Sequence, residues 1–249
     1  MRRERIKIDL LIHDLKVPLA VIESGITSLL ERREKYGSLT ESQEKTLIRT
    51  LRNAKVLQTL VNDALELGKS RAGVVTLTNS NLSDLIEHAL VEIFDLVDRT
   101  TSERIKICTD LSQLRESLEE KGLLLSVDEA LWCQQVCLDQ VKVRQIIRNL
   151  LNNALKYRKN QVELEVDKKN DHLLLSVKDD GAGIPSIYHK KIFETYFQMD
   201  ITGSYTVRGH GLGLAGVMVL IEDMGGELFL ESDEGKGAKF LVRVPLANK

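Results

Sequence analysis

The sequence predicts an α+β protein: an N-terminal helical hairpin that forms a four-helix bundle as a dimer, followed by an α/β sandwich. Three observations carry that prediction. Residues 2–35 and 41–69 repeat apolar side chains at three- and four-residue spacing. Composition then changes at Lys69-Ser70-Arg71-Ala72-Gly73. Beyond it, short strand-like runs mix with helical stretches without strict alternation, the pattern of helices packed on one side of a mixed sheet.

In the first helix Ile8, Leu11, Leu15, Leu19, Ile22, Ile26 and Leu29 form one stripe. At about 100° per residue, His13 stands roughly 160° from the centre of that stripe. It is therefore expected to face outward, where a satisfied core histidine would not be. Ile6, Leu10 and Val17 cluster around it, as on a docking surface. Pro18 lacks an amide hydrogen and is expected to bend the helix. Tyr36-Gly37-Ser38-Leu39-Thr40 joins the helices, Thr40 being a suitable N-cap with Glu41 and Glu44 in the first turn. The second helix carries Leu47, Leu51, Leu57, Leu60, Val61, Ala64, Leu65 and Leu67. A hairpin this long cannot bury stripes on both helices alone, so a homodimer is expected. A solvated antiparallel coiled coil is the alternative.

The domain boundary falls between about 70 and 80, giving domains of residues 1–72 and 80–249. In the second, 82–99 and 141–157 read as helices and 110–121 as an additional charged helix of unknown purpose. Strands are expected at 104–108, 123–127, 162–166, 173–178, 227–231 and 239–244. No repeat or low-complexity segment is visible.

Composition limits the function. The 249 residues are 43% hydrophobic, enough for one large or two modest cores. Charged residues reach 29% but the net charge is −2, which argues against a nucleic-acid partner. No apolar run approaches the roughly 20 residues that span a bilayer, and the basic start lacks a signal core. No membrane contact is expected within this segment. Cys108, Cys133 and Cys137 are odd in number and form no CxxC pair, which favours free thiols in a reducing cytoplasm.

Four stretches carry chemistry. On the 141–157 helix, Asn149, Asn153 and Lys156 share a sector of about 60°, apart from the core-facing Ile146, Ile147, Leu150, Leu151 and Ala154. Two amide oxygens suit a Mg²⁺ ion already neutralised by phosphates, and Lys156 could reach a phosphate; asparagines on a helix are otherwise simply solvated. Asp179-Asp180-Gly181-Ala182-Gly183 follows a strand, so a ligand can approach the backbone while Asp179 accepts a hydrogen bond from a donor such as an adenine amino group. A plain Asp-Gly turn would look the same. Gly209-His210-Gly211-Leu212-Gly213 opens a helix running to about Met224, an anion site. Gly211 to Gly216 also satisfies GxGxxG, but the polar segment before it is no buried strand and no βαβ unit surrounds it, so a dinucleotide fold is excluded. Tyr188, Phe193, Tyr196, Phe197 and Tyr205 lie between these motifs, with a lid-like polar stretch at 202–206. Glu234-Gly235-Lys236-Gly237-Ala238 is a glycine turn into the last strand.

From residue 6 to 246 the order and spacing of these motifs resemble the cytoplasmic core of two-component sensor histidine kinases: a dimerisation and histidine-phosphotransfer hairpin, then a catalytic ATP-binding domain of the gyrase, Hsp90, histidine-kinase and MutL type. His13–Leu19 is similar to the H box and Asn149–Tyr157 to the N box. Asp179–Gly183, Phe193–Asp200, Gly209–Leu214 and Gly235–Phe240 resemble the G1, F, G2 and G3 boxes. The resemblance implies that His13 is the phosphoacceptor and Asp14 its orienting base. It implies that Asn149 and Asn153 hold Mg²⁺, that Lys156 and Tyr157 line the nucleotide, and that Asp179, with Gly181 and Gly183, reads the adenine of ATP. Arg208, Gly209, Gly211, Leu212 and Gly213 would cradle its phosphates. The implied partner is the receiver domain of a response regulator, phosphorylated on aspartate.

Three positions depart from the family pattern. Val17 stands where relatives have Thr or Asn to position water for dephosphorylating the partner, so weak phosphatase activity is expected. Gln198 replaces an arginine near the transferring phosphate, with Arg208 the candidate substitute. Ala238 replaces a Ser or Thr beside the adenine; one lost hydrogen bond costs about 0.5–1.5 kcal/mol, about a two- to twelvefold loss of affinity. The alternatives are a degenerate ATP-binding dimeric scaffold, and an ATP-driven machine or anti-sigma serine kinase of the same superfamily. Twelve residues precede His13, so the chain is expected to be the cytoplasmic part of a longer, membrane-bound sensor or to take its signal from another chain.

Overall fold

The computed structural model describes residues 2–70, 74–194 and 213–247, without the side chains of 2–14, 55, 56, 59, 60, 62–70 and 96. The chain divides into two compact units, Met1–Ala72 and Gly73–Lys249.

The first unit is a helical hairpin of α1 (Arg2–Glu31), the single turn α2 (Arg33–Tyr36) and α3 (Glu41–Ser70). Helical backbone continues through Pro18. The helix is interrupted at Arg32, whose φ of −99° and ψ of 59° leave the helical region. Helix α3 starts on a reciprocal cap: Gln43 N–H donates to Thr40 Oγ1, and Thr40 N–H donates to Gln43 Oε1 at 2.9 Å. Helices α1 and α3 pack together and bury Ile26 and Ala54. Leu15 and Ile22, both on the apolar stripe, remain 43% and 45% exposed.

The second unit contains, in chain order, β1 (Thr78–Asn81), α4 (Leu82–Val97), α5 (Arg99–Ile107), α6 (Leu111–Glu119), β2 (Leu123–Val127), α7 (Glu129–Trp132), β3 (Gln135–Leu138) and α8 (Gln140–Tyr157). Then come β4 (Val162–Lys169), β5 (His172–Asp179), two 3-10 turns at Ser186–Tyr188 and Lys191–Phe193, α9 (Gly213–Asp223), β6 (Glu227–Ser232) and β7 (Ala238–Pro245). The main sheet has the order β2-β4-β5-β7-β6, with β2 and β4 parallel and the other pairs antiparallel. Its period-two alternation turns Val162, Leu164 and Val166, and Phe240, Val242 and Val244, into one core. Helices α8 and α9 pack on the sheet and α4 packs on α8.

The strand expected at 104–108 is helix α5. Asp98 caps it by accepting the N–H groups of Thr100 and Thr101 at 3.1 and 3.3 Å, and Ion pairs tie Lys106 to Asp95 and Arg104 to Glu120. Only Ile105 of the apparent alternation is buried; Ile107 is exposed. Two short strands, β1 and β3, were not expected; they form a separate antiparallel pair. No helix among the described residues is long and apolar enough to cross a membrane.

Candidate functional site

Helix α8 begins on a buried cap, Asp139, which accepts the N–H of Lys142 at 3.1 Å and that of Thr76 at 2.9 Å. From that fixed start it carries half-buried Asn149 and Asn153 alongside α9. Asn149 Nδ2 donates to the carbonyl of Gly213, the first residue of α9, at 3.4 Å. With that nitrogen engaged, the amide oxygen is the atom able to face a cation. Two turns further on, Lys156 and Tyr157 are exposed; Lys156 Nζ lies 2.9 Å from the Tyr157 hydroxyl and 4.6 Å over its ring.

Asp179 ends β5 and is buried. Burial pushes its carboxyl pKa up, while hydrogen bonds from the N–H groups of Gly181 and Ala238 pull it the other way. The Gly181 bond is 2.8 Å long. A Cβ on Gly181 would lie 2.3 Å from the Tyr157 carbonyl oxygen, so only glycine lets the end of α8 and this loop meet. Gly183 and Gly237 have φ of +74° and +80°, and a Cβ on either would fall 1.9 Å from a backbone oxygen, of Asp233 and Asp179 respectively. The glycines thus draw four segments onto Asp179. Phe193 packs edge-on against Phe240 with ring centroids 6.4 Å apart.

Two residues to which the sequence assigned no role of their own hold this assembly. Asp180 accepts the N–H groups of Lys159 and Asn160 at 2.8 and 3.0 Å. Burial would raise its pKa, but those backbone donors prevail and hold it below the usual carboxylate value. Ser232 accepts the Ile184 N–H at 2.8 Å and donates to the Gly237 carbonyl at 2.6 Å, joining the loop after β5 to the turn before β7. Ser232 pairs across the sheet with Ala238, itself the cross-strand partner of Asp179. No motif flags a serine at the end of an edge strand; only the fold reveals its place.

Arg208, Gly209, Gly211 and Leu212 lie outside the described residues, as do Gln198, Tyr196, Phe197 and Tyr205. His13 and Asp14 belong to the backbone of α1, and their side chains are outside the description. Among the described residues no three His, Cys, Asp or Glu side chains gather as a metal cluster. The three cysteines are free thiols.

Residues 10–73 match the His Kinase A (phospho-acceptor) domain model. Residues 138–248 match the model of the histidine kinase-, DNA gyrase B- and HSP90-like ATPases. The chain carries both domains of a two-component histidine kinase core and belongs to that family. This kinase core is 32% identical over 237 residues to the aerobic respiration control sensor protein ArcB of Escherichia coli K12, covering 93% of the chain and 27% of ArcB. It is 28% identical over 226 residues to the sensor histidine kinase YkoH of Bacillus subtilis, covering 90% of the chain and 44% of YkoH. It thus spans less than half the length of these relatives. Its fold resembles that of full-length ShkA, crystallised with AMPPNP, with a TM-score of 0.68 and 24% identity over 98% of this chain and 46% of that one.

Proposed function

We propose that this kinase core binds Mg²⁺-ATP in its second unit, autophosphorylates His13 and passes the phosphoryl group to an aspartate of a response-regulator receiver domain. The observation that carries the reading is the meeting of the end of α8 and the glycine turns around buried Asp179, with the start of α9 held to α8 at Asn149. A buried carboxylate at the floor of a glycine-lined site is a specific acceptor for the adenine amino group, with Gly181 and Gly183 letting the ring approach. The first turn of α9, with Arg208, Gly209, Gly211, Leu212 and Gly213, would offer amide N–H groups to the phosphates. Lys156 would add a point charge, and Tyr157 an aromatic face. Asn149 and Asn153 present neutral oxygens, the donor type that suits Mg²⁺ when phosphates supply the negative charge. When bound, the metal would neutralise charge on the transferring group.

A lone pair on one His13 ring nitrogen attacks the γ-phosphorus, the P–O bond to the leaving oxygen breaks, and ADP departs with that electron pair. Asp14, as the neighbouring carboxylate, holds the proton on the other ring nitrogen and accepts it as positive charge develops. The partially exposed stripe on the hairpin supports a homodimeric bundle as the scaffold that presents His13. The setting is the cytoplasm, where receiver domains and ATP are available. Val17, which cannot hydrogen-bond to water, limits any phosphatase activity toward the receiver.

Incubation with γ-labelled ATP tests the reading. A histidine kinase acquires acid-labile label that disappears in His13→Gln; a scaffold acquires none; an ATP hydrolase releases only free phosphate.

A further inference from the structure

Helices α8 and α9 run antiparallel and are tied at both ends of their contact. At one end Asn149 Nδ2 meets the Gly213 carbonyl at 3.4 Å. At the other, Lys142 Nζ meets Asp223 Oδ2 at 2.5 Å, with side chains only 10% and 12% exposed. Between the two ties Val143 and Ile146 of α8 and Val217, Leu220 and Ile221 of α9 are buried, and so is the polar Gln145.

These two kinds of contact constrain different motions. Apolar burial is non-directional and tolerates small axial slips at little cost. A charged hydrogen bond is directional and does not. Lys142 is moreover anchored at its own backbone, because its N–H donates to the Asp139 cap. Lys142 and Asn149 stand about 10 Å apart along α8, and Gly213 and Asp223 about 15 Å apart along α9. Over such lengths a helix acts as a rod, so fixing one end sets the register of the other.

We propose that the Lys142–Asp223 ion pair is a positioning device for the nucleotide site: it sets the register between the helix bearing Asn149 and Asn153 and the helix whose first turn completes the phosphate cradle. The idea rests on the nucleotide-binding role proposed for those asparagines. A buried ion pair adds little net stability over apolar residues of similar volume, so its effect is separable from folding.

The test compares the full chain with the apolar double variant Lys142→Met/Asp223→Leu and with Lys142→Arg. Thermal unfolding, binding of a fluorescent ATP analogue with Mg²⁺, and KM and kcat for autophosphorylation are measured. The double variant should keep its unfolding midpoint yet raise the KM for ATP about tenfold, as expected for a slip of a fraction of an ångström in a positioned site. Its kcat should change less, and Lys142→Arg should stay near wild type. Arg243→Gln, which breaks the exposed Arg243–Glu227 pair at the sheet surface, should alter neither constant. If the double variant does not fold, Asp223→Asn takes its place, assayed at a temperature where circular dichroism shows it folded. Unchanged ATP binding and KM in a folded clamp variant, beside a wild-type chain that binds ATP, would overturn the clamp alone. A wild-type chain that binds no ATP would overturn the nucleotide reading and the clamp with it.

Discussion

Asp179 shows how packing bears on the proposed adenine contact. Its burial raises the carboxyl pKa, so the charged form that the proposed adenine contact would need is lost on acidification sooner than at an ordinary aspartate. ATP affinity should therefore begin to fall at a pH above the usual aspartate range, as a pH series of binding titrations would show. The effect on folding has the opposite sign. A carboxyl whose folded pKa lies above its unfolded value favours the native state at low pH, and that contribution is lost as pH rises through the folded value. Asp179→Asn removes a charged hydrogen bond of about 1.5–3 kcal/mol, so ATP affinity should drop about ten- to hundredfold; an unchanged affinity would remove Asp179 from the site. Val17 poses a simpler question, because it is 56% exposed and a hydroxyl can be added without burying it. Val17→Thr should speed release of phosphate from a phosphorylated receiver with ADP and Mg²⁺ present. Brisk release by the unaltered chain would contradict the expectation of weak phosphatase activity. Asp179, Asn149 and the glycines are legible in the sequence because each is a chemical type at a fixed spacing. Ser232 and Asp180 are not, because their roles consist of bonds to backbone brought near by folding.

Elements with a long repeat declared themselves and short ones did not. Thirty residues of α1 and thirty of α3 give the helical period room to emerge. Helix α5 has nine residues, and its Arg104-Ile105-Lys106-Ile107 end imitates strand alternation; the Asp98 cap and the ion pairs to neighbouring helices decide the matter. The strands β1 and β3, four residues each, carry too little pattern to separate from loop. At this scale the exposed part of the α1 stripe makes its own prediction. Fully burying a Leu or Ile side chain is worth about 1.5–3 kcal/mol, and the 43% and 45% of Leu15 and Ile22 still exposed is the share of it that a bundle of two hairpins would add. Sedimentation equilibrium should find a dimer that Leu15→Glu/Ile22→Glu converts to monomers with helicity largely retained; a monomeric wild-type chain at micromolar concentration would refute the bundle.

Across the whole molecule, the proposed reaction divides two chemical tasks between two folding units: the helical unit would offer the nucleophile, and the α/β unit would hold the energy-rich phosphate. The order of the motifs was readable because each unit is continuous in sequence, and the sheet order β2-β4-β5-β7-β6 was not, because strand neighbours far apart in the chain leave no local mark. The measurement that bears most directly on this division is the location of the phosphoryl group after incubation with Mg²⁺-ATP, by peptide mapping at alkaline pH, where phosphohistidine survives. The account predicts the group on the His13 ring and nowhere else in the chain. Phosphate on a serine, threonine or aspartate, with His13 unmodified, would contradict it.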